Sequence, residues 1–429
     1  MLIHFALSNH RSIRDRAELS MIAIDDRAAV RRPEGFNQPV LTTAGIYGAN
    51  ASGKSNVLSA LGWVSKAVRT SLRSWDEHIP RDPHRFGGGR GSPSSFELGL
   101  VVEKVRYLYK VSVDDTHVIS EELRSYPKGR PRLLFSRVGE TVDFRRGLAG
   151  ARAVRELLGP TTLLLSAAQR VGNPELRSVA RFISSMTHVE QGHRLFADEL
   201  LRAWNDGRGE RTSTLDLIDT PDPFPNQESL FADGDDESSN DLVLALLRFA
   251  DPTIRSVGLQ DVAPADNPWI PGDMRLTFSH NANPDQPSIG FDEESAGTRT
   301  WFALIGPALG TLRLGGVLLL DEIDASLHPL LATRLLELFR EPETNPRGAQ
   351  LIFTGHDVLV LSQLNRDELW LTDKDTDGST RLTPVSDFKS DMVRRFRPLH
   401  RAYLAGRFGA IPDLPLRSPP IHPVAEAQG

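Results

Sequence analysis

The stretch Thr42-Thr43-Ala44-Gly45-Ile46-Tyr47-Gly48-Ala49-Asn50-Ala51-Ser52-Gly53-Lys54-Ser55-Asn56 decides the fold. An apolar strand pattern over residues 42–47 runs straight into Gly48-x-x-x-x-Gly53-Lys54-Ser55. Behind that loop, Leu58, Leu61, Val64 and Val68 recur at helical spacing. Strand, glycine loop, helix is the order that cradles phosphate. Glycines let successive backbone N–H groups wrap an anion, and the helix N-terminus adds its positive dipole end. Gly48, Asn50, Gly53 and Asn56 are candidate nucleotide contacts, Lys54 is placed to reach the β- and γ-phosphates, and Ser55 to hold Mg²⁺.

Outward from the loop, both flanks are rich in strands. Residues 1–24 alternate, with Leu2, His4 and Ala6 opposed to Ile3, Phe5 and Leu7, and resume at Ala17, which reads as a hairpin at a sheet edge. After a Pro/Gly/Arg-rich loop at 80–92, residues 96–102, 105–113, 118–126 and 133–135 read as strands of an antiparallel layer. Residues 147–249 turn mostly helical, interrupted by an acidic, Pro-containing stretch at 219–240. Strand patterns return at 254–262 and 273–278, then a helix near Gly297, a buried strand at 317–320 and another at 351–354, which together suggest a βαβ core. The fold class expected is α/β: a P-loop core with a mixed sheet, an antiparallel β layer and a helical insertion. Its divisions are 1–146, 147–250, 251–386 and a C-terminal helical segment and tail at 387–429. No repeat period and no long heptad run is present, so extended coiled-coil arms are not expected.

Further motifs carry chemistry. Val317-Leu318-Leu319-Leu320-Asp321-Glu322 is an apolar strand ending in paired carboxylates, Asp321 on the metal side and Glu322 as the base for water. About twenty residues upstream lies Glu294-Ser295-Ala296-Gly297-Thr298-Arg299, where Ser295 and the Gly297 backbone at a helix start can donate to a γ-phosphate. Ser295 also suits an ordinary N-cap. His356, just past the strand at 351–354, is placed to touch the γ-phosphate as a catalytic switch. Asp324-Ala325-Ser326-Leu327-His328-Pro329 would line a seam between two copies, and Gln169, after the apolar run from Leu163, is a candidate for the metal shell. The cofactors expected are ATP and Mg²⁺.

Composition sets the outer bounds. Apolar residues at 39% and charged residues at 25% place the chain in the globular class. No run approaches about eighteen apolar residues, and Met1 to Arg11 lacks a signal-peptide core, so a cytoplasmic protein without membrane contact is expected. With no cysteine, disulfides, thiolate metal sites and cysteine nucleophiles are excluded. A net charge of −6 means that nucleic acid could be met only by a local basic patch. Residues 124–146 and 392–407 are such patches, and both read more readily as solvated surface or a protein interface. The segment from about Asp387 to Pro412, with Arg394, Arg395, Arg397, Phe396, Tyr403 and Phe408, reads either as a docking surface or as a helix packed on the core.

The order of P-loop, Gln169, Ser295-x-Gly297, Leu318-Leu319-Leu320-Asp321-Glu322, Ser326-Leu327-His328-Pro329 and strand-His356 resembles ABC-type ATPases of the SMC and recombination-repair kind. Three further segments narrow the resemblance: Leu2-Ile3-His4-Phe5 with Asn9-His10-Arg11-Ser12, the loop through Asn56, and Tyr403-Leu404-Ala405-Gly406-Arg407-Phe408-Gly409-Ala410-Ile411-Pro412. They resemble the short AAA-type ABC ATPases of bacterial anti-phage and abortive-infection systems, the RloA and PARIS-ATPase kind. The resemblance implies ATP held between two heads, with Gly48, Gly53, Lys54 and Ser55 on nucleotide, Asp321 on Mg²⁺ and Glu322 in hydrolysis. It further implies Ser295 and Gly297 acting from the second copy and His356 as switch. A head-to-tail homodimer or higher oligomer is implied, working beside a separately encoded, nuclease-type effector, with nucleic acid a further candidate partner. Glu294, Ala296 and Thr298 depart from the Leu-Ser-Gly-Gly-Gln signature. Three functions stay open at this point: the sensor and scaffold ATPase of a defence system, a DNA-repair ATPase, and an ATP-gated binding module with negligible turnover.

Overall fold

Alternation at the start of the chain becomes strand pairing. β1 (Leu2–Ser8) turns back through Asn9 and Arg11, both at left-handed angles (φ 55° and 50°), and returns as β2 (Ala17–Ser20), with Phe5 opposite Leu19. A short pair, β3 (Val30–Arg31) and β4 (Val40–Leu41), leads into β5 (Thr43–Gly48) and helix α1 (Lys54–Ser74), the strand and helix expected around the glycine loop. β6 (Ser94–Val102), β7 (Val105–Val113), β8 (Val118–Ser125), β9 (Arg132–Val138) and β10 (Thr141–Phe144) then meander antiparallel. With the first hairpin they form one seven-stranded sheet in the order β10-β9-β8-β7-β6-β1-β2. β10, not expected from sequence, is a short edge strand with no buried residue, so it has little apolar patterning to show.

The computed structural model describes residues 1–171, 173–190, 214, 239–262, 273–280, 288–325, 327–388 and 399–408. Most of the acidic stretch at 219–240 lies outside them. Helices α2 (Ala151–Glu156), α3 (Leu164–Ala168) and α4 (Pro174–Ser184) follow the meander, and α3 and α4 pack on α1. The next element, β11 (Thr187–Glu190), is a strand inside the stretch read as mostly helical. It pairs in parallel with β15 (Val317–Asp321), Val189 opposite Leu320. Four residues are too few for periodicity to reveal, and only the parallel partner makes them a strand.

Between these two strands in sequence come α5 (Ser239–Ala250), a three-stranded sheet of β12 (Ser256–Val262), β13 (Asp273–Ser279) and β14 (Ile289–Gly290), and helix α6 (Ala296–Leu314). After β15 the chain runs α7 (Pro329–Arg340), β16 (Gln350–Thr354), α8 (Val358–Ser362), β17 (Leu369–Lys374), β18 (Thr380–Pro384) and α9 (Leu399–Leu404). The second large sheet has the order β11-β15-β16-β5-β17-β18, parallel except for its last strand. Alternation along its strands splits the core. Ala44, Ile46, Val317, Leu319 and Ile352 pack toward α1 and the antiparallel sheet, whereas Tyr47, Leu318, Leu320, Leu351 and Phe353 pack with residues of α6 and α7 such as Trp301, Leu335 and Phe339. The phosphate-loop helix and α6 therefore lie on opposite faces of one sheet. The mixed core sheet and the antiparallel layer are those expected from the sequence.

Candidate functional site

Two glycines shape the loop between β5 and α1. Gly48 sits at φ 155° and Gly53 at φ 104°, and a Cβ on Gly53 would stand 2.2 Å from Thr380 Oγ1 and 2.8 Å from Ser12 Oγ. Both the dihedral and the close approach demand glycine. The loop is braced from outside by a directed chain of hydrogen bonds. Asn56 Nδ2 donates to Ser12 Oγ (2.6 Å), which meets Thr380 Oγ1 at 2.6 Å, and Thr380 Oγ1 donates to the Ser52 carbonyl at 2.7 Å. Ser52 Oγ in turn meets Thr372 Oγ1 at 2.6 Å. The Asn56 side chain thus braces the loop through the first hairpin, while Asn50 stands exposed at its tip.

Lys54 Nζ folds onto the loop, donating to the carbonyls of Gly48 (3.0 Å) and Ala49 (3.2 Å). Burial pulls the ammonium below its usual pKa, opposed by the carboxylates of Glu322, Asp324 and Asp321, which places all three within electrostatic reach. Sheet order explains why. β16 lies between β15 and β5, and Leu320, Phe353 and Gly45 share one row, so the three strands end at one edge. At about 4.8 Å per strand spacing, Asp321 stands roughly 10 Å across from β5, room for a phosphate and an ion.

Thr354, at the end of β16, joins the two acids. Its hydroxyl donates to Asp321 Oδ1 at 2.5 Å and accepts from the Glu322 N–H at 2.7 Å. Glu322 itself is held at φ 50°, a left-handed conformation that costs a non-glycine residue about 1–3 kcal/mol. The tight turn aims an exposed carboxylate at the edge beside the loop. His356 follows on the same edge, its backbone N–H donating to Asp324 at 2.6 Å. Thr354, Asp324, Ser12, Thr372 and Thr380 were not singled out from sequence as site residues holding these groups. The one available signal was a polar residue closing an otherwise apolar strand two positions before His356.

Ser295 caps α6, accepting from the Thr298 N–H at 3.1 Å, and is exposed along with Ala296, with Gly297 half-buried beside them. A turn at Gly315-Gly316 folds α6 back along β15, so its N-terminus lies toward the edge where Asp321 ends, on the face opposite α1. Glu294 is buried against His280, its Oε1 2.5 Å from Nε2, so this departure from the signature serves the local structure. Ser55 lies half-buried in the first turn of α1.

One expected site residue is placed elsewhere. The Gln169 amide donates to the Val68 carbonyl at 2.9 Å, and Val68 lies fourteen residues along α1 from Lys54, about 20 Å at 1.5 Å per residue. Gln169 therefore does not join the metal-side groups; the apolar run before it is the buried helix α3, not a strand ending at the site. The two basic patches also change character. Arg124 pairs with Glu122 at 2.7 Å, Arg132 with Glu175 at 2.6 Å, and Arg137 is buried on the carbonyls of Gly139, Gly159 and Thr162. In the C-terminal segment Tyr403 is buried edge-on to Tyr47 (6.3 Å) and Phe408 is buried against Phe388 (5.1 Å), so these two aromatics belong to the core and not to an exposed surface. Arg394, Arg395, Phe396 and Arg397 lie outside the described residues, as does Ser326.

These residues fit a magnesium nucleotide. The glycine cradle and Lys54 would hold the phosphates, and the Ser55 hydroxyl with the Asp321 carboxylate are hard oxygen donors of the kind Mg²⁺ takes, phosphate and water supplying the rest. Among the described residues no helix is long and apolar enough to cross a membrane.

A family described as "AAA domain, putative AbiEii toxin, Type IV TA system" matches residues 44–362. No curated protein matches the chain. Solved structures that it is similar to include an SMC head bound to the C-winged helix domain of ScpA, at 12% identity, covering 92% of this chain and 99% of that one, with TM-score 0.44. They also include the SMC head domain from Thermotoga maritima (13%, 89% and 98%, TM-score 0.38). A third is the Pyrococcus furiosus Smc head with an extended coiled coil, bound to the C-terminal domain of ScpA (14%, 89% and 95%, TM-score 0.40).

Proposed function

Because the chain belongs to this AAA-domain family, which is of the P-loop, ABC/SMC-like ATPase type, we propose that it binds Mg-ATP and hydrolyses it. We further propose that it does so in the cytoplasm as the sensor and scaffold ATPase of a bacterial anti-phage system, controlling a separately encoded, nuclease-type effector. The observation that carries the ATPase reading is the convergence of Lys54, Asp321 and Glu322 on one sheet edge. Bound Mg²⁺ would neutralise charge on the phosphates. Lys54 would leave its two carbonyl contacts for the β- and γ-oxygens, Glu322 would orient a water and take its proton, and His356 would contact the γ-phosphate.

The opposite-face placement of α6 supports pairing of two copies: Ser295 and Gly297 stand across the sheet from α1, where they would serve the γ-phosphate of a second copy placed head to tail. The exposed Leu330 (73%) and Leu359 (63%), flanking the Asp324–His356 contact, are apolar surface such a copy would cover. Direct action on DNA is the weaker reading, because Arg124, Arg132 and Arg137 are already satisfied within the chain.

Turnover of ATP by purified protein tests the proposal. Lys54→Ala should abolish nucleotide binding, and Glu322→Gln should bind ATP without hydrolysing it, since an amide can hold water but accepts a proton poorly. Equal rates for wild type and Glu322→Gln would refute the assignment. For the defence role, loss of phage protection in Lys54→Ala cells is expected, and full protection would count against it.

A further inference from the structure

Between the acidic strand end and the switch loop lies a carboxylate that no step above uses. The Asp324 side chain is only 2% exposed, and Oδ2 accepts from the backbone N–H groups of His356 (2.6 Å) and Asp357. Oδ1 is buried without a hydrogen bond and stands 3.2 Å from His356 Nδ1, an ion-pair distance from which a small turn of the ring would let it accept. The space around this carboxylate is closed. A Cβ on Gly355 would come within 3.2 Å of both Asp324 Oδ2 and the buried, unpartnered Tyr47 hydroxyl. The imidazole, by contrast, is 61% exposed, with one nitrogen beside this carboxylate and the ring open beyond it.

We propose that Asp324 is the positioning residue of the switch: it pins residues 356–357 by two backbone hydrogen bonds and fixes the His356 ring through Nδ1, leaving Nε2 to meet the γ-phosphate. What Nε2 meets rests on the Mg-ATP reading; the fixed ring does not. A carboxylate can only accept, so Nδ1 must carry a proton when it hydrogen-bonds to Oδ1. When Nε2 also donates, the ring is an imidazolium, and the charge of Asp324 compensates it. Asp324 thereby does for the switch loop what Thr354 does for the two acids, and the two residues cross-link the ends of β15 and β16 from either side.

The test is made on full-length protein without nucleotide, by long-range ¹H–¹⁵N NMR of the imidazoles at a pH where the ring is neutral, with His356→Ala to assign the signal. The wild-type ring is expected as the Nδ1–H tautomer. Asp324→Asn keeps an oxygen for both backbone N–H groups but can turn an N–H toward the ring, so the tautomer should shift to Nε2–H. A wild-type ring in the Nε2–H form overturns the inference without any variant, and so does the same tautomer in both proteins. In ATP turnover, Asp324→Asn should lower kcat about tenfold to a hundredfold with KM within about twofold, the range of a lost hydrogen bond to a charged group. Combined with His356→Ala it should be no slower than His356→Ala alone, because one residue acts through the other; additive losses would overturn the inference. Wild-type protein that bound ATP without turnover would sink the proposed hydrolysis, while the tautomer would still decide the role of Asp324.

Discussion

Replacing Thr354 by Val keeps the shape of the side chain and removes one hydroxyl. In the structure that hydroxyl donates to Asp321 at 2.5 Å and accepts from the Glu322 N–H at 2.7 Å, so a single change strikes both acids. The first bond is charge-assisted and worth about 1.5–3 kcal/mol, and the second, between neutral groups, about 0.5–1.5 kcal/mol. The second bond also helps hold Glu322 at φ 50°, against a preference of about 1–2 kcal/mol for right-handed backbone. Loss of the Asp321 bond alone converts to roughly tenfold to a hundredfold in rate at 1.36 kcal/mol per decade, and release of Glu322 adds to it. Phosphate release measured at saturating ATP and Mg²⁺ should therefore fall at least tenfold in Thr354→Val. Thr354→Ser, which keeps the hydroxyl, should recover most of the rate, and binding of a fluorescent ATP analogue should change only a few-fold because Lys54 and the glycine loop are untouched. A Thr354→Val enzyme turning over within twofold of wild type would refute the view that this hydroxyl sets the two acids.

Four further outcomes are expected. Gly53→Ala, whose Cβ would stand 2.2 Å from Thr380 Oγ1 at φ 104°, should lower thermal stability and weaken ATP binding together, and normal values of both would show that the loop has slack. Mixing Lys54→Ala with Ser295→Arg should restore activity through one intact composite site per heterodimer; heterodimers that form but stay inactive at every ratio would count against action across the pair. Gln169→Ala should leave the Mg²⁺ dependence of turnover unchanged, since its amide is engaged with Val68, and a shifted Mg²⁺ midpoint would return it to the metal shell. Burial first, and then the Arg11 charge, lowers His10 from 6.5 to about 4. The unfolded chain then binds the extra proton between these values, so stability is full above 6.5 and falls as pH drops toward 4, by about 3 kcal/mol at most. His10→Asn should flatten the fall in melting temperature between pH 7 and 5, and an unchanged slope would refute the buried neutral ring.

The sequence by itself was enough for the elements that carry dense local signals. Gly48 to Ser55 demanded a strand before it and a helix after it. The run Val317 to Leu320 had to be a buried strand ending at Asp321 and Glu322, and Ser295 had to open a helix. Each of these depends on neighbours within one or two turns of chain, where periodicity, glycine and capping chemistry act. Only the tertiary structure decided which distant residues meet. Strand order brought Thr354 between the two acids and Asp324 under His356, and it brought Ser12 and Thr380 together behind Gly53 across 368 residues of chain. It made a core strand of Thr187–Glu190 by giving it β15 as a partner, and it took Gln169 to the far end of α1. Hydrogen bonds and parallel pairing across a sheet leave no period in the chain, because the spacing between their partners in sequence is set by whatever elements happen to be threaded between them.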